Sequence, residues 1–129
     1  MGTDINAEQK NSVTATTQDV RTHHLNSIGD IASTIADYTA ESRLFIPDGL
    51  LRGSEAIRRF FVTAFEEFAK PGMSFEMLRQ EVDGDTAYIV WRAETADNIF
   101  ELGSDTFIVR NEKIVTQTFA GKISPKSGA

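Results

Sequence analysis

Thr86-Ala87-Tyr88-Ile89-Val90-Trp91-Arg92-Ala93-Glu94-Thr95 alternates without a break. Ala87, Ile89, Trp91 and Ala93 fall on one side, and Tyr88, Val90, Arg92 and Glu94 on the other. A period of two with one apolar side marks a strand with one buried face. Asp83-Gly84-Asp85 just before it is a hairpin signal, which makes Met73 to Val82 the partner strand. Downstream, Ile99 to Arg110 reads as a third long strand. Asn111-Glu112 makes a tight turn, and Lys113 to Ile123 is a fourth strand.

Upstream the period changes. Val13, Thr17, Val20, His24 and Ser27 or Ile28 recur at helical steps on a face unusually polar for a core helix. Gly29-Asp30 breaks that helix and caps a second, whose apolar face carries Ile31, Ile35 and Tyr38. Ser42 to Ile46 is a short strand, closed by the turn signal Pro47-Asp48-Gly49. Gly53 ends that connection. Ser54 is the expected N-cap of a third helix, with Glu55 in its first turn. Ile57, Phe61, Ala64 and Phe68 make its stripe, broadened by Phe60 and Phe65, and Pro71-Gly72 stops it. Helices gathered at one end and a meander at the other give an α+β domain. Its expected extent is residues 12–123, between a flexible lead-in over 1–11 and a polar tail over 124–129.

Composition narrows the function classes. The 129 residues suffice for one domain. Nine phenylalanines against two tyrosines and one tryptophan point to an apolar core or pocket. The net charge of −6 and the lack of any basic run beyond Arg58-Arg59 argue against nucleic acid as a partner. The acidity also argues against anionic membranes, and no stretch nears the roughly 18 apolar residues of a span. There is no cysteine, so disulfides, thiolate zinc sites and thiol nucleophiles are excluded. That absence and a polar start without an apolar h-region fit a cytoplasmic protein.

Further stretches carry a resemblance. They are Gly29-Asp30, Asp37-Tyr38-Thr39, Leu44-Phe45-Ile46-Pro47-Asp48-Gly49, and Leu51-Arg52-Gly53-Ser54-Glu55-Ala56-Ile57-Arg58. In the second half come Trp91-Arg92-Ala93-Glu94-Thr95, Ser104-Asp105-Thr106-Phe107 and Lys113-Ile114-Val115-Thr116-Gln117. From Val13 to Ile123 the chain resembles the nuclear transport factor 2-like superfamily, which includes ketosteroid isomerases and SnoaL-like polyketide cyclases. It is most similar to uncharacterised bacterial members. The resemblance implies a cystatin-like fold: a cone-shaped, curved antiparallel sheet wrapped around the N-terminal helices. The fold hosts isomerases, cyclases, dehydratases, hydrolases and adaptors, so it does not fix the chemistry.

The resemblance also assigns positions. Family isomerases carry a carboxylate base at the end of the first strand, with a tyrosine and a protonated aspartic acid as oxyanion donors. The base position falls on Ile46, which cannot abstract a proton. Asp48 lies two residues on, where Pro-Asp-Gly also explains it as a turn residue. Asp105 matches the acidic donor, and alternation puts it on one strand face with Phe107 and Val109. Buried among apolar neighbours, its carboxyl has a raised pKa. Counted back from Asp30 without a gap, the tyrosine position falls on Thr22; with this chain taken as two residues shorter before Gly29 than its relatives, it falls on His24. The helical stripe favours His24.

Asp105 and His24 are therefore the candidate catalytic residues. The expected cavity lining is Leu44, Ile46, Phe60, Trp91, Phe107 and Phe119, with Tyr38 and Gln117 as polar handles. No metal is expected: adjacent His23 and His24 point about 100° apart on a helix and cannot chelate together. The expected ligand is a small hydrophobic molecule, and no cofactor is needed. The expected reaction is proton transfer beside a carbonyl, as in isomerisation, cyclisation or dehydration. The other reading is a non-catalytic binding or assembly module. Family likeness implies a homodimer through the outer sheet face, and sedimentation as a monomer would contradict it.

Overall fold

The computed structural model describes the backbone of residues 2–126 and the side chains of residues 12–126. In chain order the elements are α1 (Gly2–Asn26), α2 (Ile31–Ile35), β1 (Arg43–Ile46), β2 (Gly49–Arg52) and α3 (Gly53–Ala69). Then come β3 (Ser74–Asp83), β4 (Thr86–Glu94), β5 (Asn98–Arg110) and β6 (Lys113–Pro125). The six strands form one sheet in the order β2-β1-β6-β5-β4-β3. The architecture is the expected α+β cone.

The meander forms because its alternation and its turns agree. Ala87, Ile89, Trp91 and Ala93 of β4 are all buried, as are Asp105, Phe107 and Val109 of β5. Asn111 and Glu112 take φ values of 52° and 64°, the left-handed pair that a two-residue hairpin turn requires. Register shifts interrupt β3–β4, β4–β5 and β5–β6. Bulges of this kind bend strands and raise the local twist, which lets the sheet curl around the helices.

Three expectations need correction. First, the sheet is mixed. The β1 strand enters beside β6 and runs parallel to it, pairing Leu44 with Gln117. Second, the Pro47-Asp48 turn is followed by a strand. The chain folds straight back so that Ile46 pairs with Gly49 and Arg43 with Arg52. Third, α3 begins at Gly53, and its N-cap is Arg52 without a side-chain cap, in place of Ser54. Gly53 sets that boundary because its φ is +84° and an added Cβ would lie 3.1 Å from the Ala40 carbonyl oxygen.

The α1 helix runs from Gly2, ahead of the first stripe residue expected in it. Side chains of the expected lead-in, residues 1–11, lie outside the described residues. Of the expected tail, Ser124 and Pro125 extend β6, and residues 127–129 lie outside the described residues. Thr17, Val20, His24 and Ser27 are buried, while Val13 is exposed. Such a polar face docks through hydrogen bonds as well as contact. Thr17 Oγ1 donates to the Gly84 carbonyl at 2.7 Å, and Gly84 N donates to Thr14 Oγ1 at 3.2 Å. The helix thereby holds the β3–β4 turn. Asp30 caps α2 as expected, accepting from Ser33 N at 3.0 Å. No helix among the described residues is long and apolar enough to cross a membrane.

Candidate functional site: a carboxyl on the floor of an apolar cavity

Register decides which part of the concave face is filled and which is open. One row across the sheet joins Leu44, Gln117, Phe107 and Ala87. All four are buried. The His24 ring lies over this row, with its centroid 4.9 Å from that of Phe107. The next row joins Phe119, Asp105 and Ile89. Above it the helices leave a cavity of about 240 Å³. The α3 helix walls it with Phe60, Phe61, Phe65 and Phe68, and α1 adds His24, Leu25 and Ile28.

Asp105 lies on the floor of this cavity and is only 8% exposed. Both of its oxygens accept hydrogen bonds. Trp91 Nε1 donates to Oδ1 at 2.8 Å, and Gln117 Nε2 donates to Oδ2 at 2.9 Å. The Tyr38 hydroxyl donates in turn to Gln117 Oε1. Three strands and the segment after α2 thus fix one carboxyl. The donors are all neutral. They favour the carboxylate, but burial outweighs them and pushes the Asp105 pKa up to about 6. Each oxygen has a lone pair left to meet a ligand, or to carry the proton when the acid forms.

Trp91 reaches Asp105 because a glycine makes room. Trp91 pairs with Gly103 across β4–β5. A Cβ on Gly103 would lie 2.5 Å from the indole ring. The ring also stacks with Phe75 and Phe119, at centroid distances of 5.5 Å and 6.1 Å. Its position is set by this packing and by the bond to Asp105.

His24 has a different environment. It is buried, and its Nδ1 has no hydrogen-bond partner among the described residues. Desolvation, with a smaller contribution from His23, lowers its pKa to about 4. The imidazole is neutral near pH 7. Asp105 and His24 open into the same cavity. No hydrogen bond joins them among the described residues. Thr22 is exposed on α1 and does not line the cavity.

The remaining expected lining residues divide. Phe60, Trp91, Gln117 and Phe119 reach the cavity. Leu44 and Phe107 do not: they lie in the covered row, from which only Gln117 reaches the cavity, toward Asp105. Ile46, at the end of β1, packs partly buried against the core. Tyr38 is buried behind Gln117, and burial raises its hydroxyl pKa further above the ordinary value. Sequence reasoning missed Phe75 and Phe100 on the cavity wall, and Glu67 beside them. The phenylalanine excess was the signal for the first two. Asp48 lies in the exposed turn between β1 and β2, away from the cavity lining.

A second polar cluster sits at the α1–α2 corner. His23 Nδ1 meets Asp37 Oδ2 at 2.7 Å, and His23 Nε2 meets Ser33 Oγ at 3.2 Å. Ser33 Oγ in turn meets Ser27 Oγ at 2.7 Å, and Ser27 donates to the His23 carbonyl at 2.6 Å. These bonds tie two helices together at the surface. They do not touch the cavity lining, apart from the chain neighbour His24.

Known structures share this architecture. A protein from Kribbella flavida, provisionally described as a ketosteroid isomerase, superposes with a TM-score of 0.70 at 15% identity, over 90% of this chain and 84% of that one. A nuclear transport factor 2-like protein of unknown function from Mesorhizobium loti gives 0.68 at 20% identity, over 84% and 93%. A protein from Jannaschia, provisionally described as a SnoaL-like polyketide cyclase, gives 0.69 at 11% identity, over 85% and 88%. At these identities the likeness carries the fold alone. No curated protein matches the chain. The family signature of the SnoaL-like domain, however, matches residues 18–117, from the middle of α1 to the glutamine that holds Asp105. The chain belongs to the SnoaL-like domain family.

Proposed function

We propose that this chain binds a compact hydrophobic molecule bearing a carbonyl and moves a proton on it, with Asp105 as the acid/base. The observation that carries the proposal is the placement of Asp105. It is buried, bonded at both oxygens to neutral donors, and open to an apolar cavity. A pKa of about 6 populates both protonation states near neutral pH, as a group that must take and return a proton requires. In an isomerisation, the Asp105 carboxylate takes a proton from the carbon beside the carbonyl and returns it to another carbon. The proton balance closes without a cofactor. His24, uncharged on the same cavity, is the group suited to hydrogen-bond the oxyanion formed between the two transfers. The outer face of the sheet is left for pairing with a second copy.

With a turned-over ketone in hand, Asp105→Asn is expected to lower kcat at least about 100-fold, and the parent rate to titrate near pH 6. Normal turnover by the variant would end the role given to Asp105. One observation favours a second reading, that of a binding module without turnover. The position where related isomerases carry their base is Ile46 here. Under that reading a bound ketone is recovered unchanged by mass spectrometry after prolonged incubation.

A further inference from the structure

The charges around the cavity are one-sided. Among its described lining residues are two carboxylic acids, Asp105 and Glu67, and no lysine or arginine. Glu67 is held ionised. Hydrogen bonds from Thr95, Lys70 and Asn98 lower its pKa to about 2. Lys70 stands outside the lining, where it meets Glu67 Oε1 at 2.9 Å and Asp97 at 2.7 Å, so the charge of Glu67 is offset and that of Asp105 is the one left without a counter-ion. The one basic group among the described lining residues is His24, which is uncharged near pH 7. The hydrogen-bond donors on the floor, Trp91 Nε1 and Gln117 Nε2, already point at Asp105. An anionic ligand would therefore lose its hydration and meet no counter-charge and no free donor from the floor.

Size and shape narrow the class further. About 240 Å³ falls below the roughly 300 Å³ at which pockets for drug-sized ligands begin. Aromatic rings face the space from both α3 and the sheet, with Phe60 and Phe68 against Trp91, Phe100 and Phe119. Such walls suit a flat ring system.

We propose that the cavity selects an uncharged, flat compound of one or two rings and rejects the carboxylate of the same shape, with Asp105 acting as an electrostatic filter. This inference rests on the cavity being the ligand site. It adds a rule for what enters, and the rule holds whether or not the ligand is then transformed.

A matched pair of probes tests it: methyl 2-naphthoate and 2-naphthoate share a ring system and differ by one charge. Binding is read by calorimetry and by the indole N–H resonance of Trp91, the chain's one tryptophan, which reports on the bond to Asp105. At pH 8 the ester is expected to bind and shift that resonance. The acid is expected to bind on the order of 100-fold more weakly, from two like charges in a poorly solvated space. At pH 5 the probe acid stays ionised while Asp105 takes up its proton, so the gap should narrow. The other titratable groups facing the cavity are His24 from α1 and Glu67 from α3. Tyr38 stands behind Gln117, and β3, β4 and β6 add none to the lining. Neither Glu67 nor Tyr38 changes charge between these pH values. Asp105→Asn, which removes the charge and keeps a hydrogen-bonding side chain on the floor, should also narrow the gap at pH 8. Binding of 2-naphthoate within about threefold of the ester at pH 8 would overturn the filter while leaving the cavity as the ligand site. If the ester gives no heat and leaves the indole resonance in place, the cavity reading falls, and the filter with it.

Discussion

Two adjacent histidines on α1 enter two different settings, one against a buried aspartate and the other on the cavity that lies over a second. His23 points outward to the helix corner and meets Asp37 directly at 2.7 Å. His24 points inward, touches aromatic rings, and makes no hydrogen bond to Asp105. Asp37 has a partner able to carry positive charge, as structural carboxylates commonly do. Asp105 has only an indole, an amide and, behind the amide, a phenol. Burial alone does not separate the two aspartates, since both are 8% exposed. The difference lies in the partners. Neutral donors hold the Asp105 carboxyl in place without supplying a counter-charge, so burial still pushes its pKa up to about 6.

The sharpest test of this contrast is the stability of Asp105→Asn against pH. The folded-state pKa of about 6 lies above the ordinary carboxylate value, so between them the folded state binds more protons than the unfolded one. The group's contribution is fully present below the unfolded value and is lost as pH rises through 6. Asparagine has no such loss. Its floor can rewire: the side-chain oxygen accepts from Trp91, the amide donates to a reversed Gln117, and Gln117 then donates to the Tyr38 hydroxyl. Relative to the parent, the variant should therefore gain about 2–3 kcal/mol between pH 4 and pH 8 in urea unfolding. A difference that does not vary with pH would mean that Asp105 is not buried as described.

Gly103→Ala strikes the same floor from the packing side. The new methyl and the indole ring cannot share the space that they would occupy. The expected cost is about 2 kcal/mol, together with a displaced indole N–H resonance and a further rise in the Asp105 pKa as a donor is lost. An unchanged resonance and stability would show that Trp91 is not pinned there.

The mildest change separates the histidines themselves. His24→Phe removes an unpartnered ring nitrogen from an aromatic nest, and should stabilise the fold by about 1 kcal/mol at pH 8. The gain should grow on acidification. His24 has its folded pKa lowered to about 4, so the parent loses stability as pH falls below the ordinary histidine value towards 4. A loss of stability at pH 8 would mean that the ring nitrogen has a partner after all.

The local code was legible where one face of an element decides everything. Alternation in Thr86–Glu94 gave the buried side of β4, and helical spacing carried His24 inward beside Thr17 and Val20. The four-residue strand after Pro47-Asp48 was not legible, since Gly49–Arg52 is too short to show a period. Neither was the split of the concave face. Leu44, Phe107 and Phe119 look alike as apolar residues on inward positions, and only cross-strand register says which row a helix covers. Register shifts in β4–β5 and β5–β6 hide that information from any count along one strand. The Trp91–Asp105 bond was missed for the same reason. It depends on a glycine in the neighbouring strand, which reads in sequence as a gap in the alternation.

The floor of the cavity has one further consequence, for how such a protein changes over generations. Trp91, Asp105 and Gln117 come from three successive strands, with Gly103 between them, while α3 supplies rings that touch the space and carry no part of the hydrogen-bonded chain. The hydrogen-bonded floor and the α3 side of the cavity are therefore inherited on separate stretches of the gene. A substitution at Phe60 or Phe68 can enlarge or reshape the roof while leaving the hydrogen bonds below untouched, so a lineage can vary the space one roof residue at a time.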